Sequence, residues 1–518
     1  MAKNLRAGLR QSIKASRKAS LSGGNVFGSS PLDLRFALQK TLDPRVTFTR
    51  ASTGTYVGSN GVIQSAVTNL LLRSEEFNDA SWMKNSNPTV TVNQIAAPNG
   101  SITADKLTGS GSATGYLEQV VSIVSGQSYV FSIYLKKDTT STCSTLLYGS
   151  QFNSGGSNQT ATWNFDTGLA SFTNGASGSM TPVGNNWFRC VMITTATTTN
   201  ASSPNQWVRL VGNSGNVFLW GAQLEQASAV GEYIPTTNAI NSNPRFDHNP
   251  TTGESLGLLV EEARTNLLLN SATLSTQSVT VAAAANTLSF YGTGTVTLTG
   301  VSTAGPLVGT GANNRVFLTF TPTAGVLILT VSGSVTNAQL EAGAFPTSYI
   351  PTTTATVTRA ADVASITGSN FSSWYNQTEG TVFAEVAVAQ PNTGGNQFVF
   401  RTSDNTYNNA VAINIPGQAQ LSTASSGTFD GSANSVANLV ANVSAKISAA
   451  YATNNLGISL NGATAITDTS ATMPTGLNRA DIGSDHAGFN RVKAGTIKRL
   501  TYWPVRLADP TLQAITQP

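Results

Sequence analysis

Thr68-Asn69-Leu70-Leu71-Leu72 recurs as Thr265-Asn266-Leu267-Leu268-Leu269. Ala222-Gln223-Leu224-Glu225 recurs as Ala338-Gln339-Leu340-Glu341, and Tyr233-Ile234-Pro235-Thr236-Thr237 recurs as Tyr349-Ile350-Pro351-Thr352-Thr353. An opening phrase and a closing phrase therefore bracket two segments of unequal length. This arrangement is typical of a duplicated module whose ends are fixed and whose loops vary. We expect an assembly of similar β modules, which favours a structural and binding protein over an enzyme.

The composition of the 518 residues supports this view. Charged residues make up only 10% of the chain, well below the usual level of about a quarter. The surface must therefore be rich in hydroxyl and amide groups, which suits extended β-structure, secreted adhesins and virus fibres better than a cytosolic helical enzyme. The length predicts three or four domains, each large enough to bury a core of its own.

The basic residues are concentrated at the N-terminus. Six of them fall within the first twenty residues, which contain no acidic residue: Lys3, Arg6, Arg10, Lys14, Arg17 and Lys18. The rest of the chain has 23 of the 29 basic residues against all 25 acidic ones, and so near-neutral a body is not typical of a nucleic-acid-binding protein. Two interpretations of the basic segment stay open: an anchor peptide that docks on an acidic partner surface, or a solvated tail.

Neither a signal-peptide core nor a run of about 18 apolar residues is found in the sequence. We therefore expect neither conventional N-terminal secretion nor membrane insertion.

Strand patterns fill the rest of the sequence. Residues 128–136 alternate, with Tyr129, Phe131, Ile133 and Leu135 on one face. Ser59-Asn60-Gly61 stands between β-forming residues and predicts a hairpin. Because strands recur at short intervals and no long amphipathic helix is visible, we predict an all-β fold of several antiparallel β-sandwich modules of jelly-roll type in series.

The repeated phrases and the turn-rich stretches divide the chain into parts. These are a basic anchor at 1–30, a short β segment at 31–66, a jelly-roll module at 67–238, a linker at 239–256, a shorter repeat of the module at 257–355 and a sandwich at 368–518. The linker is marked by Pro244 and Pro250. A short helix at the C-terminus is predicted to be capped by Asp509, with Pro510 at its first position.

Several phrases are similar to those of a known protein class. Phe48-Thr49-Arg50-Ala51-Ser52 with Gly61-Val62-Ile63, the Thr-Asn-Leu-Leu openings, and Pro244-Arg245-Phe246-Asp247 with residues 257–266 resemble modular tail-fibre and virion structural proteins of tailed bacteriophages and prophages. The bracketed modules resemble the carbohydrate-binding-type jelly rolls of such proteins. Residues 380–516 resemble the concanavalin-A-like (laminin-G-like) sandwich that often ends them. The resemblance covers about residues 45–516.

This resemblance implies a homotrimeric virion protein, made in the cytoplasm of the host bacterium. It would be a tail fibre or spike, attached through its basic N-terminal segment to other virion proteins, the tail adaptor or tail tube. Its sandwiches would face outward and bind host surface glycans. The alternative is a capsid or collar decoration protein, a head fibre, with a purely structural role. A depolymerase tailspike would need a long parallel β-helix with clustered inward acids, and the sequence indicates neither.

Sugar recognition needs flat aromatic faces for stacking and fixed polar groups for hydroxyls. We therefore take Trp82, Trp163 and Trp207 as candidate glycan-binding residues, with core packing as the alternative. We predict no catalytic residue, no metal site and no cofactor. The adjacent acids Glu75-Glu76 and Glu261-Glu262 would point to opposite faces of a strand and could not flank one glycosidic bond.

Two smaller expectations concern calcium and the cysteines. Asp481, Asp485 and Asn490 offer loop oxygens that could hold calcium, although they lack EF-hand spacing. Cys143 and Cys190 are expected to be buried small apolar residues and not a disulfide.

Overall fold

The computed structural model describes residues 30–518 except 110–115, 148, 154, 200–203, 211–214, 392–394, 489–490 and 493. Its strands pair in antiparallel fashion and build three β-sandwiches, which confirms the predicted all-β fold class. The helices of the described residues are four short ones: Phe36–Gln39, Gly149–Phe152, Ser369–Ser372 and Asp509–Ile515. None of these helices is long and apolar enough to cross a membrane.

The first module, residues 68–237, is a sandwich of two six-stranded sheets. One sheet contains, in spatial order, Ser177–Pro182, Trp187–Thr195, Ser128–Lys137, Asn216–Glu225, Ala104–Thr108 and Thr89–Ile95. The other contains Leu169–Phe172, Gln159–Asn164, Thr142–Leu147, Pro204–Leu210, Tyr116–Val120 and Met83–Asn85. Tyr129, Phe131, Ile133 and Leu135 lie in the core between the sheets, as their alternation predicts.

The second module, residues 265–353, is a smaller sandwich of four and three strands. Its four-stranded sheet contains Gln277–Val281, Gly325–Ser332, Thr295–Gly300 and Leu307–Val308. Its three-stranded sheet contains Gly311–Phe320, Asn286–Gly292 and Val335–Ala342. Short strand pairs lie at the module entrances: Thr68–Asn69 with Asn241–Ser242, and Arg264–Asn266 with Val357–Arg359.

Asn69, from the opening phrase of the first module, joins the two ends of that module. Its amide nitrogen donates to the carbonyl oxygens of Ala222 (3.0 Å) and Ile234 (2.9 Å). Its Oδ1 accepts from the backbone N–H groups of Leu71 (3.1 Å) and Leu224 (3.2 Å). The buried carboxamide thus uses both its donors and both its acceptor positions.

Asn266 makes the same four hydrogen bonds in the second module. Its amide nitrogen donates to Ala338 (3.0 Å) and Ile350 (2.8 Å), and its Oδ1 accepts from Leu268 (3.1 Å) and Leu340 (3.1 Å). We call this arrangement the asparagine clasp. It joins the opening phrase to both closing phrases, and it is the physical reason why these phrases are repeated.

The glutamine and tyrosine of the closing phrases extend the clasp. Gln223 Oε1 accepts from the N–H of Ile234 (2.8 Å), and Gln339 Oε1 accepts from the N–H of Ile350 (2.6 Å). The hydroxyls of Tyr233 and Tyr349 each lie 2.7 Å from a serine hydroxyl two residues after the opening phrase, that of Ser74 or Ser271. The interpretation of these glutamines and their neighbouring glutamates as a structural repeat is confirmed.

The C-terminal sandwich draws its strands from distant parts of the chain. One sheet contains, in order, Arg245–His248, Ser255–Val260, Gly495–Trp503, Glu379–Ala387, Ala445–Ala452, Leu456–Leu460 and Ile466–Asp468, with Leu32–Leu34 also paired to Gly495–Trp503. The other contains Thr47–Thr49, Val363–Thr367, Arg479–Ile482, Phe398–Ser403, Ala410–Asn414, Gln418–Ser425 and Thr428–Asn438.

The set of segments that supply strands to the C-terminal sandwich differs from the predicted domain boundaries. Residues 31–66 and 239–256 were expected to form a separate β segment and a linker, yet they supply strands to the sandwich. Leu34 and Phe48 belong to the core that the C-terminal strands form, and Phe246 packs against it. Pairing across more than 450 residues has no local sequence signature. The predicted hairpin at Ser59-Asn60-Gly61 is confirmed, because Thr55–Val57 pairs with Ile63–Ser65.

The cap predicted for the last helix is wrong. Ala508 occupies the N-cap position and no side chain caps the helix, while Asp509 lies in its first turn. The carboxylate of Asp509 instead pairs with Arg506 at 2.6 Å, an ion pair that competes with capping.

Five buried charged residues meet where the second module joins the C-terminal sandwich. Asp362 pairs with Arg50 (2.7 Å) and Arg245 (2.6 Å), and Glu261 pairs with Arg245 (2.8 Å) and Arg359 (3.0 Å). All five side chains are at most 1% exposed. We call this group the buried ion network. It joins residues that come from four separate segments of the chain.

The arginines of this network set the charge of its acids. Burial alone would raise the pKa of Glu261, but the guanidinium groups of Arg359 and Arg245 outweigh burial and lower it to about 2. Asp362 follows the same balance: burial raises its pKa, and Arg245 and Arg50 lower it below the ordinary value. Both acids are therefore ionised at neutral pH.

We predict that Asn266→Ala destabilises the second module by about 3 kcal/mol or more, because four buried backbone groups lose their partner. Chemical denaturation, monitored by hydrogen exchange of residues 265–353, measures the decrease in the free energy of unfolding of this module. Asn314→Ala, which changes an exposed asparagine of the same module, is the control and should leave the unfolding midpoint unchanged. Equal midpoints for both variants would contradict a stabilising role for the clasp.

We predict that Glu261→Gln destabilises the C-terminal sandwich by about 3–5 kcal/mol at pH 7, because two buried guanidinium groups lose their counter-charge. Since the folded pKa of about 2 lies below the ordinary value of 4.5, this stabilisation is complete above pH 4.5 and is lost as pH falls towards 2. Urea unfolding of wild type and variant across that range should therefore converge at low pH. Glu254→Gln, which removes a carboxylate that is largely exposed and pairs with Lys498 at the surface, is the matched control.

Candidate functional site

The tryptophans proposed from the sequence are core residues where the structure describes them. Trp82 is 1% exposed and donates its indole N–H to the carbonyl of Arg73 (3.0 Å). Trp163 is fully buried, and its N–H donates to Thr145 Oγ1 (3.2 Å). Neither ring presents a face to a ligand, because each fills the space between the sheets of the first module. The side chain of Trp207 and the basic residues from Lys3 to Lys18 lie outside the described residues.

The described residues contain no group of three or more His, Cys, Asp or Glu side chains that could hold a metal ion. Asp481 accepts from Arg479 at 2.5 Å, and Asp485 accepts from the hydroxyl of Tyr407 at 2.8 Å. Asn490 lies outside the described residues. Cys143 and Cys190 are buried and unbridged, as expected, and burial raises the pKa of both thiols.

A groove lies on the outer face of the seven-stranded sheet of the C-terminal sandwich. It encloses about 130 Å³. Along the strand Ala410–Asn414, Val411 and Ile413 point into the core, whereas Ala410, Ala412 and Asn414 line the groove. The small side chains leave a shallow floor, and we call this feature the sheet-face groove.

Two exposed aromatic rings line the sheet-face groove. Tyr407, in the loop after the strand Phe398–Ser403, is 51% exposed, and Phe429, on the strand Thr428–Asn438, is 61% exposed. The guanidinium of Arg401 lies 5.3 Å from the ring centre of Tyr407. Arg401 also donates to the carbonyl of Thr406 (2.6 Å) and lies 3.0 Å from Nδ1 of His486. These contacts fix the position of the Tyr407 loop.

The far end of the groove carries amide groups. Asn414 donates to Gln420 Oε1 (2.9 Å) and to Ser422 Oγ (3.3 Å), and Gln420 donates to Asn434 Oδ1 (2.8 Å). Asn414 Oδ1 and Thr423 Oγ1 are buried and have no hydrogen-bond partner among the described residues. Such buried unpaired groups are uncommon and costly, and a ligand hydroxyl that reached the floor would satisfy them.

Burial and neighbouring charges shift the pKa values of the titratable groups at and beside the groove. Burial lowers the pKa of Arg401, although Asp481 and Asp485 act in the opposite direction. Burial and the hydrogen bond to Asp485 raise the pKa of Tyr407 to about 12, and burial and the charge of Arg401 lower the pKa of His486. At neutral pH the groove therefore offers the neutral phenol ring of Tyr407, the ring of Phe429, fixed amides and the guanidinium group of Arg401. The neutral imidazole of His486 lies beside Arg401.

The sequence interpretation missed this groove because it looked for tryptophan. The signal was present in the alternation of Ala410, Ala412 and Asn414 with apolar residues, but alternation does not say which face is concave. The contribution of Tyr407 depends on a loop conformation that no local pattern specifies.

No protein-family model matches the chain, and no curated protein sequence matches it. Several solved structures resemble parts of it. The Ruminococcus gnavus IT-sialidase CBM40 bound to α2,3-sialyllactose is 18% identical, with 29% of this chain and 88% of that chain covered and a TM-score of 0.25. The NanB sialidase of Streptococcus pneumoniae is 17% identical, with 30% of this chain and 27% of that chain covered and a TM-score of 0.26.

A third structure, the native heptameric SAP-like pentraxin of Limulus polyphemus, is 9% identical, with 27% of this chain and 70% of that chain covered and a TM-score of 0.20. Such low identities and TM-scores carry no argument about what this chain binds or does. A proposal for the function of this protein must therefore be argued from the residues of its own candidate site.

Proposed function

We propose that this protein is a glycan-binding adhesin without catalytic activity, and that the sheet-face groove is its binding site. The observation that carries the proposal is the pairing of exposed Tyr407 and Phe429 with the amides of buried Asn414 and half-buried Gln420 in one groove. Sugars present both C–H faces, which stack on aromatic rings, and hydroxyls, which pair with amides. The groove offers both kinds of contact within one site.

The burial of the amide end supports recognition over non-specific adhesion. Asn414 is 2% exposed and is held by two hydrogen bonds, so its orientation is fixed before a ligand arrives. A preorganised polar group loses little conformational freedom on binding. The two exposed rings would provide apolar contact, and the amides would select the hydroxyl pattern.

At a finer level, we propose that the protein is a bacteriophage tail fibre or spike. The support is the resemblance of its repeated phrases to those of tail-fibre and virion proteins. Under this proposal the basic segment 1–30 attaches to the tail, three chains associate, and the sandwiches face the host cell. The three β-sandwiches suit such a display, because each has its own core and can carry a surface loop without disturbing its neighbour.

We predict that Tyr407→Ala combined with Phe429→Ala weakens glycan binding by about tenfold or more, since each ring contributes on the order of 1 kcal/mol. A glycan array followed by calorimetry on the best glycan measures the effect. Leu169→Ala, which removes an exposed apolar side chain of the first module, is the control. Binding should change little between low and moderate salt, because the groove uses amides and rings rather than ion pairs. Equal glycan affinity of the wild type, the double variant and the Leu169→Ala control would contradict the assignment of the sheet-face groove as the binding site.

The same calorimetry samples test the absence of catalysis. The bound glycan should be recovered unchanged after prolonged incubation, as judged by mass spectrometry, and cleavage products would contradict the proposal.

We predict that cryo-electron microscopy of intact particles, without imposed symmetry, shows three chains projecting from the tail. Density on the capsid or collar would contradict the tail-fibre proposal and favour a decoration protein. A particle that lacks this protein should then lose adsorption to host cells but keep its assembled tail.

A further inference from the structure

A second pocket lies where the second module meets the C-terminal sandwich. It encloses about 290 Å³, close to the lower limit for pockets that hold small ligands, and such pockets often occur at domain interfaces. Its walls come from the hairpin at 55–63, the strands at 245–260, the second module at 291–349 and the C-terminal sandwich at 387–390 and 494–496. We call it the junction pocket.

Asp247 provides a carboxylate in the wall of the junction pocket. Its Oδ1 accepts from the backbone N–H of Val57 (2.7 Å). No ion pair to Asp247 is formed within the part of the chain that the structure describes. The neighbouring Arg245 is committed to Glu261 and Asp362, and Arg315 uses both terminal nitrogens on Thr347 and Ser289.

A carboxylate held in a partly buried pocket is costly unless a cation faces it. The charged groups around Asp247 are Glu261, which raises its pKa, and Arg245, which lowers it. Burial is the largest influence and raises the pKa of Asp247 to about 6. Arg315 lies on the pocket wall contributed by the second module. The carboxylate thus lacks the direct counter-charge that the other buried acids of this junction possess.

The rest of the pocket suits a small ring that carries hydroxyls. Tyr56 and Tyr291 line it, and among the described residues their hydroxyls make no hydrogen bond. The ring of Phe317 is 55% exposed and lies at the same pocket. Gln390 adds a carboxamide at the wall contributed by the C-terminal sandwich. Hydroxyl, amide and aromatic groups therefore surround the carboxylate.

We propose that the junction pocket is a second binding site, separate from the sheet-face groove, and that it takes a hydroxylated ligand with a protonated amine, of the size of one amino sugar. The ammonium group pairs with Asp247, the hydroxyls pair with Tyr56, Tyr291 and Gln390, and the ring packs against Phe317. Because its walls come from both units, an occupied pocket would also hold the second module against the sandwich.

Isothermal titration calorimetry of the full chain with glucosamine, N-acetylglucosamine, glucose and n-butylamine at pH 7 tests the proposal. Glucosamine should bind, whereas each of the other three should bind at least tenfold more weakly. Asp247→Asn should weaken glucosamine binding at least tenfold and leave the affinities for glucose and N-acetylglucosamine, which carry no ammonium group, unchanged. Wild-type affinity should fall as pH is lowered from 7 to 5, and the variant should show no such fall.

The asparagine keeps an acceptor for the Val57 N–H and removes the desolvated charge, so thermal unfolding at pH 7 should show a midpoint no lower than that of wild type. A folded variant that still binds glucosamine at full affinity would overturn the proposal. So would an absence of glucosamine binding to wild type, or equal binding of n-butylamine and glucosamine. Tyr407→Ala combined with Phe429→Ala should leave glucosamine affinity intact. A failure of the junction-pocket proposal can therefore be distinguished from a failure of the proposal that the sheet-face groove binds glycans.

Discussion

The buried ion network is the interaction on which the architecture of this protein depends. Asp362 and Glu261 gather three guanidinium groups, from Arg50, Arg245 and Arg359, at a point with no access to solvent. A buried charge left without its partner costs several kcal/mol, so each of these segments reaches a low free energy only when the others are in place. Buried ion pairs add less to net stability than well-packed apolar groups do, but they accept few alternative arrangements.

That selectivity matters because the C-terminal sandwich is assembled from parts far apart in sequence. Its sheets take strands from the first fifty residues, from both sides of residue 250 and from residues 363–503. The first and second modules are therefore insertions between strands of one sandwich and not tandem domains that follow one another along the chain. Each inserted module closes on itself through an asparagine clasp, which brings its entry and exit together and lets the host sandwich continue across it.

The same construction positions both candidate sites. The sheet-face groove lies on strands that follow one another closely in the chain, from Phe398 to Asn438, and so belongs to the sandwich alone. The junction pocket exists only because a module is inserted beside residues 245–260. The ion network supplies Glu261 to the wall of that pocket, which places a paired acid close to the unpaired Asp247.

The sequence by itself determined the all-β class, the two repeated modules, the hairpin at Asn60-Gly61 and the burial of the alternating apolar residues, because period-two alternation, turn residues and repeated phrases are local signals. It did not reveal that Leu32–Leu34 and Arg245–His248 complete the last sandwich, or that Trp82 and Trp163 are core residues while Tyr407 and Phe429 are exposed. Strand pairing across hundreds of residues and the exposure of a ring depend on which surfaces meet after folding. Only the tertiary structure decided these features, because its buried charges and cores select one arrangement among many that the local patterns allow.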